Sequence, residues 1–213
     1  TVPGNTSVTL WTQFKPISEL PQYINPTSGY LFNTNHSPFL ATEAKYNLNA
    51  DKFDSNDGFE RYHNNRSQRV TELVKGIDKI DYDLFKRIKF DQQLPQQLKY
   101  IYGIDSLLKL NANDYPEVKE IVTTLQQWDR KAIVSSKGAA VFLLLYYYVA
   151  NKLNGTAPRQ LTITESIEAC RHIQENMVMN FGRTDVVLGD VQKLVRGDDV
   201  RPAWGLPDVL TAA

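Results

Sequence analysis

The spacing of apolar residues changes once along the chain. Up to residue 63 it follows no helical period. "SVTLWTQF" (7–14) reads as a short strand. "KPISELPQYINPTSG" carries Pro16, Pro21 and Pro26 and should run extended and irregular over a surface. In "GYLFNTN" (29–35), Tyr30, Phe32 and Thr34 alternate with Leu31, Asn33 and Asn35, the period of a strand. Residues 40–63 are polar, rich in Asn and Asp, and read as a long loop. A loop of that length points to a function or to a larger assembly.

From Asn64 onward the period is helical. Val70, Leu73, Val74 and Ile77 share one face, and Leu84, Phe85 and Ile88 follow Asp81, a good N-cap. Leu98, Ile101, Ile104 and Leu108 make a stripe behind Pro95. Val118, Ile121, Val122, Leu125 and Trp128 make a clearer one, opened by Pro116. The apolar run over 138–153 predicts a central helix closed by Asn154-Gly155. Thr162 and Glu165 form a capping box ahead of Ile167, Cys170, Ile173 and Met177. The tail "GDVQKLVRGDDVRPAWGLPDVL" predicts one short helix and then loop. The fold class is therefore mainly α: a β and loop arm over residues 1–63, then a helical domain of six or seven helices over 64–213. The arm has too few strands for a sheet of its own, so it is expected to pair with something outside this chain.

Composition narrows the function classes. Among 213 residues, 24 Lys and Arg balance 24 Asp and Glu, so no net field favours nucleic acid or an anionic membrane. The apolar run Ala139–Ala150 is too short to span a bilayer, and no signal-peptide pattern opens the chain. The single Cys170 has no disulfide partner and falls on a buried helix face. His36 reads as a lone histidine in a turn, a candidate base but more simply polar surface. His63 and His172 have no ligand partner at metal spacing. "DKFDSNDGFE" is rich in carboxylates, but Gly58 follows Asp54 by four residues, which breaks the calcium-loop pattern. There is no phosphate-binding glycine loop, no serine nucleophile elbow and no CxxC.

The polar cluster after Phe32 raises the sharper question, because Asn33 and Asn35 are either turn formers ahead of Ser37-Pro38 or working groups. "NPTSGYLFNTNHSPF" resembles a segment of the large β chain in the penicillin acylase (penicillin amidase) family of N-terminal-nucleophile hydrolases. Asn25, Pro26, Gly29, Tyr30, Asn33, Asn35, Ser37 and Pro38 match in order. "W…P…ELP" upstream, then "NNRSQRVTELV", "VKEIVTTLQQWD" and the tail "GDVQKLVRG…P…GLPDVL" are similar too, so the resemblance covers nearly the whole chain. It implies that the arm belongs to an αββα hydrolase core. It also implies that Asn35 donates its side-chain amide to the oxyanion of a tetrahedral intermediate. Asparagine suits that task, with two neutral donors that do not depend on pH, and one preorganised donor is worth about 3 kcal/mol in a transition state. Arg69 aligns with an arginine close to the family's active site that helps orient the asparagine and substrate. Arg66, one turn away, competes for that place, and a solvated helix face is the alternative for both.

The family nucleophile is the first residue of the β chain. Thr1 is not expected to play that part: Pro3 bars a regular central strand there, and the match sets Thr1 deep inside the β chain. The chain is thus expected to be an internal piece, inactive alone, of an acylase that cleaves small-molecule linear acyl-amides through an acyl-enzyme. Its expected partners are the α chain and the rest of the β chain, with no nucleic acid and no membrane. No cofactor is expected in this chain, and the resemblance implies calcium in the parent. The implied location is bacterial, periplasmic or secreted. The rival readings are a non-enzymatic helical interaction domain and a catalytically dead acylase homologue.

Overall fold

The computed structural model describes residues 2–10, 12–98, 104–154, 159 and 161–209. Thr1, Trp11, Ile101 and Gly155, which the sequence reading used, lie outside the described residues. The chain falls into two compact units, Thr1–Tyr62 and His63–Ala213.

Among the described residues, the second unit is mainly α. Its helices are α1 (Asn65–Val74), α2 (Tyr82–Lys89), α3 (Ile104–Leu107), α4 (Lys119–Gln126), α5 (Lys137–Lys152), α6 (Ile163–Phe181) and α7 (Leu188–Val191). The caps act as their residue types dictate. Asp81 accepts the Leu84 N–H at 2.7 Å to start α2. Thr162 and Glu165 form a reciprocal capping box on α6, and Gly182 closes that helix in the left-handed region at φ 69°. Asn64 and Ser67 make a second capping box on α1.

The core sits around α5, which is buried on most of its circumference from Gly138 to Val149. Against it pack Ile121, Val122 and Leu125 of α4, Ile167, Cys170, Ile173 and Met177 of α6, and Leu188 of α7. Gly138 is required by a close approach: a Cβ there would overlap Cβ and Cγ of Trp128 and lie 2.7 Å from its Cδ1. Trp128 then stacks at a tilt on Phe142, with ring centroids 4.9 Å apart.

Three expectations are corrected here. Of the described residues in the stripe behind Pro95, only Ile104 lies in a helix, the four-residue α3, with Leu98 and Leu108 outside it. The tail, read as helix then loop, contains α7 and also a hairpin, β1 (Lys193–Arg196) with β2 (Asp199–Pro202), paired Lys193↔Pro202 through Arg196↔Asp199. Its two-residue turn is Gly197-Asp198, and only Gly197 has positive φ, as a type II′ turn requires. The tail also straps the core segment 132–136: Gly205, Gly189 and Leu188 donate to the carbonyls of Ala132, Val134 and Ser136 at 2.8–3.0 Å.

The third correction concerns the first unit, where the described residues form no strand. Ser7–Thr9 is a 3-10 turn, with the Val8 N–H donating to Thr6 Oγ1. Residues 40–63 are not featureless. Short 3-10 turns at Pro38–Leu40, Ala44–Tyr46, Ala50–Lys52 and Ser55–Asp57 organise them, three capped by Ser37, Asn49 and Asp54. They close over an aromatic cluster in which Phe39, 3% exposed, meets Phe53 at 5.1 Å and Phe59 at 6.1 Å. Val8, Phe14, Ile17 and Ile24 stay largely exposed.

Candidate functional site

The asparagine segment of the first unit is a closed loop rather than a strand. Its two ends are tied together: the Phe32 N–H donates to the Ala41 carbonyl at 3.0 Å, and Thr42 Oγ1 donates to the Tyr30 carbonyl at 2.8 Å. The entry is a tight turn in which the Gly29 N–H donates to the Pro26 carbonyl at 2.9 Å, with Gly29 at φ 78°. The exit is Ser37, buried, whose Oγ accepts the Phe39 N–H at 3.2 Å and so starts the 3-10 turn that seats Phe39 in the aromatic cluster.

Between these ends the backbone reverses at Asn35, which has φ 55°. Asparagine is among the few L residues that tolerate the left-handed region. Asn33 helps to hold that conformation. Its Oδ1 accepts the Asn35 N–H at 2.8 Å, an Asx turn. The expected alternation, with both asparagines on one strand face, is therefore corrected: the local side-chain bond takes the backbone donor that a ladder would have used. Asn33 is the turn former, and Asn35 sits at the exposed apex.

His36 is not the surface residue that its turn position suggests. It is half-buried, and its ring stacks on Phe32 with centroids 4.8 Å apart and planes 16° apart. Nδ1 lies 3.2 Å from the Thr34 backbone N and 3.1 Å from Thr34 Oγ1, while Nε2 lies 3.0 Å from the Leu40 carbonyl oxygen. A backbone N–H only donates and a carbonyl only accepts. The geometry therefore fixes a neutral imidazole with the proton on Nε2. Sequence reasoning missed this role, since the signal is three-dimensional.

Arg69 lies on α1 of the second unit. Its Nε and one terminal nitrogen bind the two oxygens of Asp91 at 2.8 and 2.9 Å, a bidentate pair. The other terminal nitrogen donates to Glu72 at 3.2 Å, and a further N–H goes to Gln93 Oε1 at 3.2 Å. Four of its five donors are thus used within its own unit, and Asp91 beside it raises its affinity for its proton. Arg66 pairs through Nε with Asp208 at 3.0 Å, and the same carboxylate accepts the Asn65 N–H at 2.6 Å. Asp208 thereby puts a negative charge on the N-terminal end of α1, where the helix dipole favours it. Neither arginine lies on a merely solvated face. Asn35 and Arg69 stand in different units.

The carboxylates of the Asp-rich loop have other work. Asp57 pairs with Lys15, and Asp54 caps a 3-10 turn. Among the described residues no three His, Cys, Asp or Glu side chains come together to hold a metal ion. Cys170 is buried, and burial pushes its thiol up to about 12, which makes it a poor nucleophile.

A sequence model of the penicillin amidase family matches residues 1–204. The chain belongs to that family. Penicillin amidases are acyl-amide hydrolases, generally bacterial and periplasmic or secreted. Among the described residues no helix is long and apolar enough to cross a membrane. Within this penicillin amidase chain the match takes in both the asparagine loop and Arg69, so the two lie inside one family relationship.

Proposed function

We propose that this chain contributes the oxyanion donor, Asn35, to an acylase that cleaves linear acyl-amides of small molecules. In this reading a nucleophile outside the chain attacks the amide carbonyl. The carbonyl oxygen becomes an oxyanion, and the Asn35 side-chain N–H donates to it. Collapse of the intermediate expels the amine and leaves an acyl-enzyme, which water hydrolyses. The observation that carries the reading is Asn35 itself: an asparagine at the exposed apex of a loop, held at φ 55° by an Asx turn, within a family of amide hydrolases. The turn sets the backbone from which the amide is presented, so less has to reorganise when charge develops.

The exposed Val8, Phe14, Ile17 and Ile24 support a further part of the proposal, that the first unit docks onto an αββα core supplied by the remaining chains. For Arg69, the bidentate pair with Asp91 supports a bracing role for α1 rather than a substrate contact.

Stopped-flow hydrolysis of a linear acyl p-nitroanilide tests the function. The full-length gene product should release p-nitroaniline with steady turnover, while the 213-residue chain alone should be inactive. Full-length protein without turnover would identify a catalytically dead homologue. Turnover by the chain alone that Thr1→Ala abolishes would return the nucleophile to Thr1.

A further inference from the structure

We propose that His36 is a positioning residue that holds the Asn35 amide in its productive place; the inference rests on the reading of Asn35 as oxyanion donor. Three contacts assign the role. The first is a bridge across the apex: the Thr34 N–H and hydroxyl both reach His36 Nδ1, at 3.2 and 3.1 Å, so the residues on either side of Asn35 are bound to each other. The second anchors the bridge, because Nε2–H donates to the Leu40 carbonyl at 3.0 Å, at the end of the turn that seats Phe39. The third fixes the ring plane, through the Phe32 ring at 4.8 Å. The imidazole thus ties the apex to the buried side of its unit through both nitrogens.

This arrangement does not suit a general base. Nδ1 already accepts from Thr34, and Nε2 carries the proton. It does suit preorganisation. An oxyanion donor acts fully only when held within about half an ångström of its working position. Asparagine tolerates the left-handed region without being confined to it, so the apex would relax if its flanks came apart. Relaxation lowers the fraction of enzyme that is competent in the chemical step. It therefore appears in kcat and not in KM.

Two substitutions separate the two nitrogens. His36→Asn places an amide oxygen near the position of Nδ1 and keeps the acceptor for Thr34. His36→Gln carries its amide to the position of Nε2 and loses that acceptor. In the full-length gene product, with a linear acyl p-nitroanilide, His36→Gln should lower kcat by about tenfold or more at unchanged KM, and His36→Asn should recover most of the loss. Equal kcat in wild type and both variants would overturn the proposal, as would a loss confined to KM. Histidine-selective 15N spectra of the 213-residue chain give a readout that needs no activity. Nδ1 of His36 should be unprotonated at neutral pH, and the opposite tautomer would refute the bridge. Asn35→Gly distinguishes the two claims. If it loses kcat while His36→Gln does not, only the positioning role falls; if it keeps wild-type kcat, both fall.

Discussion

Replacing Arg69 with Met separates a structural brace from a substrate contact. The change removes the bidentate pair to Asp91 at 2.8 and 2.9 Å and the bonds to Glu72 and Gln93. Asp91 then keeps its charge without its strongest donors. Breaking a fully buried pair from one side costs about 3–5 kcal/mol. Here the side chains of Arg69 and Asp91 keep 14% and 15% of their exposure, so water reaches the carboxylate in part. That places the expected loss at about 2–3 kcal/mol. Urea unfolding of the 213-residue chain should show a lower midpoint at unchanged slope. Adding Asp91→Asn should return part of the loss, with a coupling energy of about 1–2 kcal/mol in the double-mutant cycle. In the full-length gene product, kcat of folded Arg69→Met should stay within about threefold of wild type. Unchanged stability with a hundredfold loss of kcat would refute the brace and make Arg69 a group that touches substrate.

Three further predictions follow from other parts of the molecule. Gly138→Ala drives a methyl group into Trp128, an overpacking cost of up to about 3 kcal/mol against at most about 1 kcal/mol of helix propensity regained. Its melting temperature should fall by roughly 4–8 °C, and an unchanged or higher value would show that Trp128 is not where the structure puts it. Glu165 is held below the usual carboxylate range, first by the Arg159 guanidinium and then by the Thr162 N–H. Its contribution is present above the ordinary carboxylate value of 4.5 and is lost as pH falls through the lower folded value. The wild-type melting temperature should therefore drop more steeply below pH 4.5 than that of Glu165→Gln, and parallel curves would contradict the pairing. Cys170 should resist iodoacetamide in the folded chain and react on unfolding, whereas rapid labelling of native protein would show that α6 opens.

The helices were legible in the sequence because each carries its own signals. Asp81 and the Thr162–Glu165 box mark starts, and the stripe from Val118 to Leu125 marks a buried face. These are local features, and tertiary packing agreed with them in α4 and α6, whereas α2 buries no residue. The arm was less legible for a physical reason. Alternation in "GYLFNTN" says which side chains share a side, but a strand also needs a partner for its backbone. At Asn35 that N–H goes to Asn33 instead, and the segment turns. The hairpin at 193–202 did carry a signal, Gly197-Asp198 between two short β-prone runs. Both strands are exposed throughout, so no burial pattern drew attention to it.

The candidate site was legible in residue type and not in geometry. Asparagine as a neutral donor could be named from chemistry alone. Its left-handed backbone could not, nor could the clamp formed by His36, because Thr34 and Leu40 meet the imidazole only once the loop has closed. Arg69 finds Asp91 across 22 positions of sequence, a pairing that helix-face reasoning does not reach. The geometry also changes the choice of variants. An Asn33 variant would also disturb Asn35, since losing its side chain removes the bond that holds the turn. Asn35→Ala would add left-handed strain to the loss of the amide.

Glycine removes that ambiguity, since it adopts φ 55° at no steric cost while deleting both amide donors. The most direct test is therefore kcat of Asn35→Gly in the full-length gene product, measured on a linear acyl p-nitroanilide with the fraction of active enzyme quantified. If Asn35 stabilises the oxyanion, kcat should fall by about a hundred- to a thousandfold while KM stays within about threefold. A glycine variant that keeps wild-type kcat would show that Asn35 only turns the chain.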